Sequence, residues 1–157
     1  MKPKLYLETT IVSYLVARPS RDVVVAGHQL MTQGWWRRRL KDFDVFVSEV
    51  VLNEAGAGDA AFARKRLDRL VRFPVLRATD DVQALTTALL KSGVVPQKAA
   101  GDAAHIAHAS VHGMHFLLTW NCRHIANAEI LRRVGAVCQK QGWRCPVVCT
   151  PHELMGD

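Results

Sequence analysis

A three-layer α/β/α fold with a central parallel sheet of about five short strands is the class this sequence predicts. Three observations carry it. Short apolar runs recur along the chain as Lys4-Leu5-Tyr6-Leu7-Glu8, Val45-Phe46-Val47-Ser48, Pro74-Val75-Leu76-Arg77, Phe116 to Thr119 and Pro146-Val147-Val148-Cys149. They are too short and too evenly apolar for surface strands, and they suit strands covered on both faces. The segments between them show helical apolar spacing, most opened by Ser, Thr or Asp and closed by Gly, which is the alternation of a parallel α/β sheet.

Each element has a local reason. After the first strand, Thr9 or Thr10 is placed to cap a short apolar helix, Ile11 to Ala17. Pro19-Ser20-Arg21-Asp22 is a turn, and Ser20 or Asp22 opens a helix from about Val23 to Lys41, interrupted near Gly34. Ser48 caps Glu49 to Glu54, with Gly56 and Gly58 ending that helix. Asp59 opens the next, to about Arg72, with Phe62, Leu67, Leu70 and Val71 as its stripe. Thr79 or Asp80 caps Val82 to Lys91, which Gly93 stops. A small-residue helix runs from about Ala99 to His112 and stops at Gly113. The spacing predicts a last helix over Ala126 to Val134, ended by Gly135. A short turn or helix follows the fifth strand.

The 157 residues fit one domain, 1–157, with a real core. Hydrophobic residues at 49% and charged residues at 22% are those of a soluble globule. No apolar run approaches the roughly 20 residues that cross a bilayer. Met1-Lys2-Pro3-Lys4-Leu5 lacks the apolar region of a signal peptide, so a cytoplasmic location is expected. Cys122, Cys138, Cys145 and Cys149 form no CxxC pair. Reduced thiols are expected, with Cys145 and Cys149 on one side of the fifth strand.

The formal charge of +7 favours polyanionic partners. That charge gains meaning beside acids. In open parallel sheets the ligand site lies beyond the carboxyl ends of the strands. Glu8 ends the first strand, and Asn121 lies two residues past Thr119 at the end of the fourth. Glu54 is on the helix after the second strand, and Asp102 is in the first turn of the helix leading into the fourth. These oxygen donors suit Mg²⁺ or Mn²⁺. Packed carboxylates repel unless a cation offsets them, and a divalent ion there would serve phosphodiester hydrolysis.

Two other patterns compete for attention. Asp102, His105, His108 and His112 fall within an arc of roughly 120° on one helix face. Zinc or nickel would suit imidazoles, but a less buried flank of a helix on a sheet is the simpler expectation. His105 is one turn from Asp102 and placed to bond that carboxylate or meet substrate. Trp35-Trp36-Arg37-Arg38-Arg39 mixes aromatic and cationic groups, as single-stranded nucleic-acid surfaces do. The preferred reading is one core Trp, one contact Trp and a solvated arginine face.

Four motifs, taken in order, resemble those of PIN-domain proteins, particularly the VapC-like toxin ribonucleases of type II toxin–antitoxin systems. They are Tyr6-Leu7-Glu8-Thr9-Thr10-Ile11-Val12-Ser13-Tyr14-Leu15, Phe46-Val47-Ser48-Glu49-Val50-Val51-Leu52-Asn53-Glu54, Gly101-Asp102-Ala103-Ala104-His105-Ile106-Ala107 and Leu117-Leu118-Thr119-Trp120-Asn121-Cys122-Arg123-His124-Ile125. The resemblance covers nearly the whole chain. It implies a metal-dependent endoribonuclease whose acidic constellation falls on Glu8, Glu54, Asp102 and Asn121, with Thr119 as the neighbouring hydroxyl. It also implies an RNA substrate, a small antitoxin partner and a homodimer. Two positions depart from the family pattern. Glu8 stands where Asp is usual, and Asn121 where Asp is frequent. Those departures motivate the alternative of a catalytically weak or silent module that binds RNA or a protein.

Overall fold

A computed structural model describes residues 1–156. Five strands, β1 (Lys4–Leu7), β2 (Asp44–Ser48), β3 (Val75–Leu76), β4 (Phe116–Leu118) and β5 (Val147–Cys149), form one sheet in the order β3-β2-β1-β4-β5. Every pairing is parallel. Leu5, Tyr6 and Leu7 are fully buried, as are Leu117 and Leu118, so the middle of the sheet is covered on both faces.

The strand order places the site. From β1 the chain adds β2 and β3 on one side, then returns to add β4 and β5 on the other. The reversal falls between β1 and β4, and a crevice opens beyond the carboxyl ends at such a switch point. The register pairs Leu7 with Leu118, so Glu8 and Thr119 leave the sheet side by side. The Glu8 amide still donates to the Leu118 carbonyl, at 3.1 Å.

The helices are α1 (Thr9–Val16), α2 (Val23–Arg38), α3 (Glu49–Ala55), α4 (Ala60–Leu70), α5 (Asp80–Lys91), α6 (Ala100–Val111) and α7 (Ala128–Lys140). Ser48, Asp59 and Thr79 cap α3, α4 and α5 as their positions predict, and Asp22 caps α2. The cap of α1 is different. Glu8, not Thr9 or Thr10, accepts the Thr10 amide, because the residue leaving β1 is the one in extended geometry.

Three boundaries move. Helix α2 passes through Gly34 without interruption and ends at Arg38, before a single 3₁₀ turn at Leu40–Asp42. Helix α7 begins after the Asn127 cap and runs through Gly135 to Lys140. Nothing lies within 4 Å of a Cβ built on Gly135, which therefore faces outward while Val134 and Cys138 stay buried in the core. The chain turns instead at Gly142, whose φ of +85° is left-handed. Cys145 precedes β5 rather than belonging to it, which separates it from Cys149.

Trp35 is buried in the core, and Trp36 is half-buried under Arg72, whose guanidinium lies 5.6 Å from its ring centroid. One Trp is therefore core, as expected. No helix among the described residues is long and apolar enough to cross a membrane.

Candidate metal centre at the carboxyl edge of the sheet

Glu8 is nearly buried, at 3% exposure. A carboxylate so placed must be hydrogen-bonded. Its Oε1 accepts from the Thr10 hydroxyl at 2.6 Å and the Thr119 hydroxyl at 2.5 Å, and its Oε2 accepts from the Thr10 amide at 2.8 Å. The Thr10 hydroxyl in turn accepts from the Trp120 amide, and the Thr119 hydroxyl accepts from the Asn121 amide. The start of α1 is thereby tied to the exit of β4 through one carboxylate.

Glu54 reaches the same place from the last turn of α3. Its Oε1 accepts from the Thr9 hydroxyl at 2.8 Å and lies 2.5 Å from His105 Nε2. Partial burial would raise its pKa. The His105 and Thr9 hydrogen bonds and the nearby imidazole outweigh that and hold the carboxyl below its usual range.

His105 is fully buried on α6. Its Nδ1 lies 2.7 Å from the Tyr6 hydroxyl, which lies 2.7 Å from Ser48 Oγ. The proton positions follow from the acceptors. A carboxylate can only accept, so His105 Nε2 carries hydrogen. Burial raises the Tyr6 phenol far above its ordinary pKa, so it keeps its proton. For a neutral imidazole, Ser48 donates to Tyr6, Tyr6 to Nδ1, and Nε2–H to Glu54. A buried relay thus runs from the cap of α3, across β1 and α6, back to the end of α3.

Ligand atoms of Glu8, Glu54 and His105 all lie within 4.8 Å of one another. The four sequence-predicted acid and amide positions are therefore brought together unequally. Glu8 and Glu54 meet, and the neighbouring Thr119 hydroxyl bonds Glu8. Asp102 is half-buried in the first turn of α6, outside that cluster, and accepts no hydrogen bond among the described residues. Its neighbour Gly101 lies close, since a Cβ there would sit 3.5 Å from Glu54 Oε2. Asn121 is occupied in the turn, where its side-chain oxygen accepts the His124 amide at 3.0 Å.

The histidine arc is not a less buried flank. His105 and His108 are buried, at 0% and 2% exposure. His108 and His112 stack with centroids 6.1 Å apart, and His112 Nε2 lies 2.8 Å from the Arg77 carbonyl. Among the described residues only His105 of the arc joins a group of candidate metal donors. It bonds Glu54 rather than Asp102. The missed signal was Tyr6, which shares a strand face with Glu8 by the two-residue period of β1.

No known family model matches the chain. No curated protein sequence matches it either. Solved structures do. A chain in the crystal structure of VapBC2 from Rickettsia felis, bound to a DNA fragment from their promoter, superposes with a TM-score of 0.52. The match covers 93% of this chain and 97% of that one, at 16% identity. The fold is VapC-like and PIN-like. Within a PIN-like fold, the Glu8, Glu54 and His105 cluster sits at the switch point of the sheet, where a ligand crevice is expected.

The donor chemistry fits a divalent ion. Glu54 Oε2 makes no hydrogen bond among the described residues and faces the space left by Gly101. Glu8 Oε1 spends both lone pairs on the Thr10 and Thr119 hydroxyls, while Oε2, which accepts only the Thr10 amide, retains one. The two carboxylates are hard oxygen donors, whereas both ring nitrogens of His105 are engaged by Tyr6 and Glu54, so His105 orients Glu54 rather than offering a ligand atom.

Proposed function

We propose that this chain is a divalent-metal-dependent endoribonuclease that hydrolyses RNA phosphodiester bonds, a toxin of VapC type. The convergence of the Glu8 and Glu54 carboxylates at the carboxyl edge of a PIN-like sheet carries this reading. Glu8, Glu54 and Asp102 would hold Mg²⁺ or Mn²⁺. When bound, the ion supplies Lewis-acid polarisation of the phosphate and acidifies water.

The chain's own residues do the rest. Thr119 and Thr10 fix the Glu8 carboxylate in one orientation. His105 and Thr9 do the same for Glu54. Asp102 presents a carboxylate without hydrogen-bond partners among the described residues at the start of α6, and Asn121, whose side-chain oxygen accepts the His124 amide, would orient water or a second ion with its side-chain NH₂ group. The net positive charge draws RNA to an otherwise acidic site. A small antitoxin protein and a second copy of the chain are the proposed partners, and the cytoplasm is the proposed location.

Asp102→Asn and Glu54→Gln should each abolish Mn²⁺-dependent cleavage of a labelled RNA while far-UV circular dichroism stays unchanged. Wild-type cleavage rates in both variants would overturn the proposal. A second reading, a silent module that binds RNA or protein, is favoured by the engagement of Asn121 Oδ1 with His124 and the position of Asp102 outside the cluster. Calorimetry separates the two. Salt-sensitive RNA binding with no Mn²⁺ binding at millimolar metal would select the silent module.

A further inference from the structure

The amino-terminal edge of the sheet, opposite the metal centre, holds a pair of thiols. Cys138 Sγ and Cys145 Sγ lie 3.1 Å apart. Cys138 is buried on the last turn of α7, and Cys145 is half-buried where the chain approaches β5. The backbone between them holds the pair. The Gln141 and Trp143 amides both donate to the Cys138 carbonyl, at 3.1 and 2.9 Å, and Gly142 makes the left-handed turn. The Ser110 hydroxyl stands 3.8 Å from both sulfurs.

The pair is asymmetric and reachable. Cys145 lines a cleft of about 720 Å³ together with His115, Trp143 and Arg144, whereas Cys138 is sealed behind it. Hydrogen bonding from Cys138 brings the Cys145 thiol down to about 7, against burial, with Ser110 adding to the effect. Cys138 is pushed up by the same contact and by burial. An accessible thiolate with a buried thiol beside it is the arrangement of an attacking and a resolving cysteine. The other two thiols lack it, since the exposed Cys122 is raised by burial and by Glu153, and the buried Cys149 is pushed up to about 12.

We propose that Cys138 and Cys145 are a reversible dithiol–disulfide couple, oxidised by a small-molecule disulfide such as glutathione disulfide entering through this cleft. The Cys145 thiolate attacks one sulfur of glutathione disulfide, forming a mixed disulfide and expelling one glutathione thiolate. Cys138 then loses its proton to solvent and attacks the Cys145 sulfur. The mixed disulfide breaks, the second glutathione thiolate leaves, and both leaving thiolates take up protons as their pH requires. Two protein thiols are oxidised and one glutathione disulfide is reduced to two glutathiones. The sulfurs must close from 3.1 Å to a bond of about 2.05 Å.

The test uses the full chain, reduced and then equilibrated with glutathione disulfide before acid quenching. Free thiols should fall from the four of the reduced chain to two, with an intact mass lower by two hydrogen atoms and a peptide map joining 138 to 145. Cys122→Ser, on the surface, should still lose two thiols, and Cys145→Ser should lose none to an intramolecular bond. Because Cys145→Ser could alter packing, alkylation of the wild-type chain by iodoacetamide gives a second measure. Cys145 should react ahead of Cys122, with its rate rising through neutral pH. A stable glutathione adduct without the internal bond, four thiols retained under oxidising conditions, or alkylation of Cys122 first would overturn the proposal.

Discussion

His105 Nε2 lies 2.5 Å from Glu54 Oε1, and this contact joins a fully buried imidazole to a carboxylate that is 41% exposed. The imidazole is held from behind by Tyr6 and cannot follow Glu54 if it moves. The exposed acid is therefore pinned by the buried base. His105→Ala should free Glu54, orphan the Tyr6 hydroxyl and leave a cavity. The expected loss is about 2–4 kcal/mol of stability, read from urea unfolding at constant m-value. Under the proposed metal-dependent function, the increase in melting temperature expected from Mn²⁺ should shrink as well. Unchanged Mn²⁺ stabilisation in a folded His105→Ala protein would show that His105 does not position Glu54.

Thr119 makes the corresponding bond to Glu8. Its side chain is fully buried, donating to Glu8 Oε1 and accepting from the Asn121 amide. Thr119→Val keeps the shape and removes both bonds. It should cost about 1–3 kcal/mol, since a buried carboxylate and an amide each lose a partner. Thr119→Ser should recover most of the loss. Equal destabilisation by Val and Ser would assign the effect to the methyl group instead.

Gly101 separates stability from metal affinity. It lies inside α6 with no positive φ, so alanine should raise stability by about 0.5–1 kcal/mol. The added Cβ would stand 3.5 Å from Glu54 Oε2, an ordinary contact for the fold but an intrusion beside the free ligand atom. Gly101→Ala should therefore melt higher and bind Mn²⁺ more weakly by calorimetry. Undiminished Mn²⁺ binding would place the ion away from Glu54 Oε2.

His108 sets the acid sensitivity. Burial, with His112 and His105 nearby, lowers its pKa to about 4, and its Nδ1 is buried without a partner among the described residues. The folded state holds it neutral, whereas the unfolded chain takes up a proton below about 6.5. Unfolding then binds more protons, so stability declines as pH falls from about 6.5 to 4. For one proton the slope approaches about 1.4 kcal/mol per pH unit. His108→Gln should flatten that interval. Glu54 acts lower on the scale. Its depressed pKa means that its contribution persists above the ordinary carboxylate range and is lost as pH falls through the folded value. A slope between pH 6.5 and 4 that is the same in His108→Gln would assign the protons to another group.

Local rules carried the sequence reading where each element depends on its own residues. Ser48, Asp59 and Thr79 cap the helices they precede because an oxygen three residues before an orphan amide needs no distant partner. The strands were legible because burial on both faces leaves uninterrupted apolar runs. The misreadings arose where packing outweighed local propensity. Gly135 resembled a helix stop, yet the stripe of Val134, Val137 and Cys138 continues to pack and carries α7 past it. The histidines resembled a polar flank because imidazole is polar, but His105 is buried by virtue of partners on β1 and α3 that helical spacing does not reveal.

By itself, the sequence determined the alternation of strand and helix, the parallel sheet and the placement of Glu8 and Thr119 at strand ends, since those follow from apolar period and cap chemistry along a few residues. Only the tertiary structure decided which donors meet. The reversal of strand order between β1 and β4 brings Glu8 to Thr119, and the packing of α3 against α6 delivers Glu54 to His105 rather than to Asp102. Such meetings depend on how separate elements are laid against one another, and no spacing within a single element encodes them.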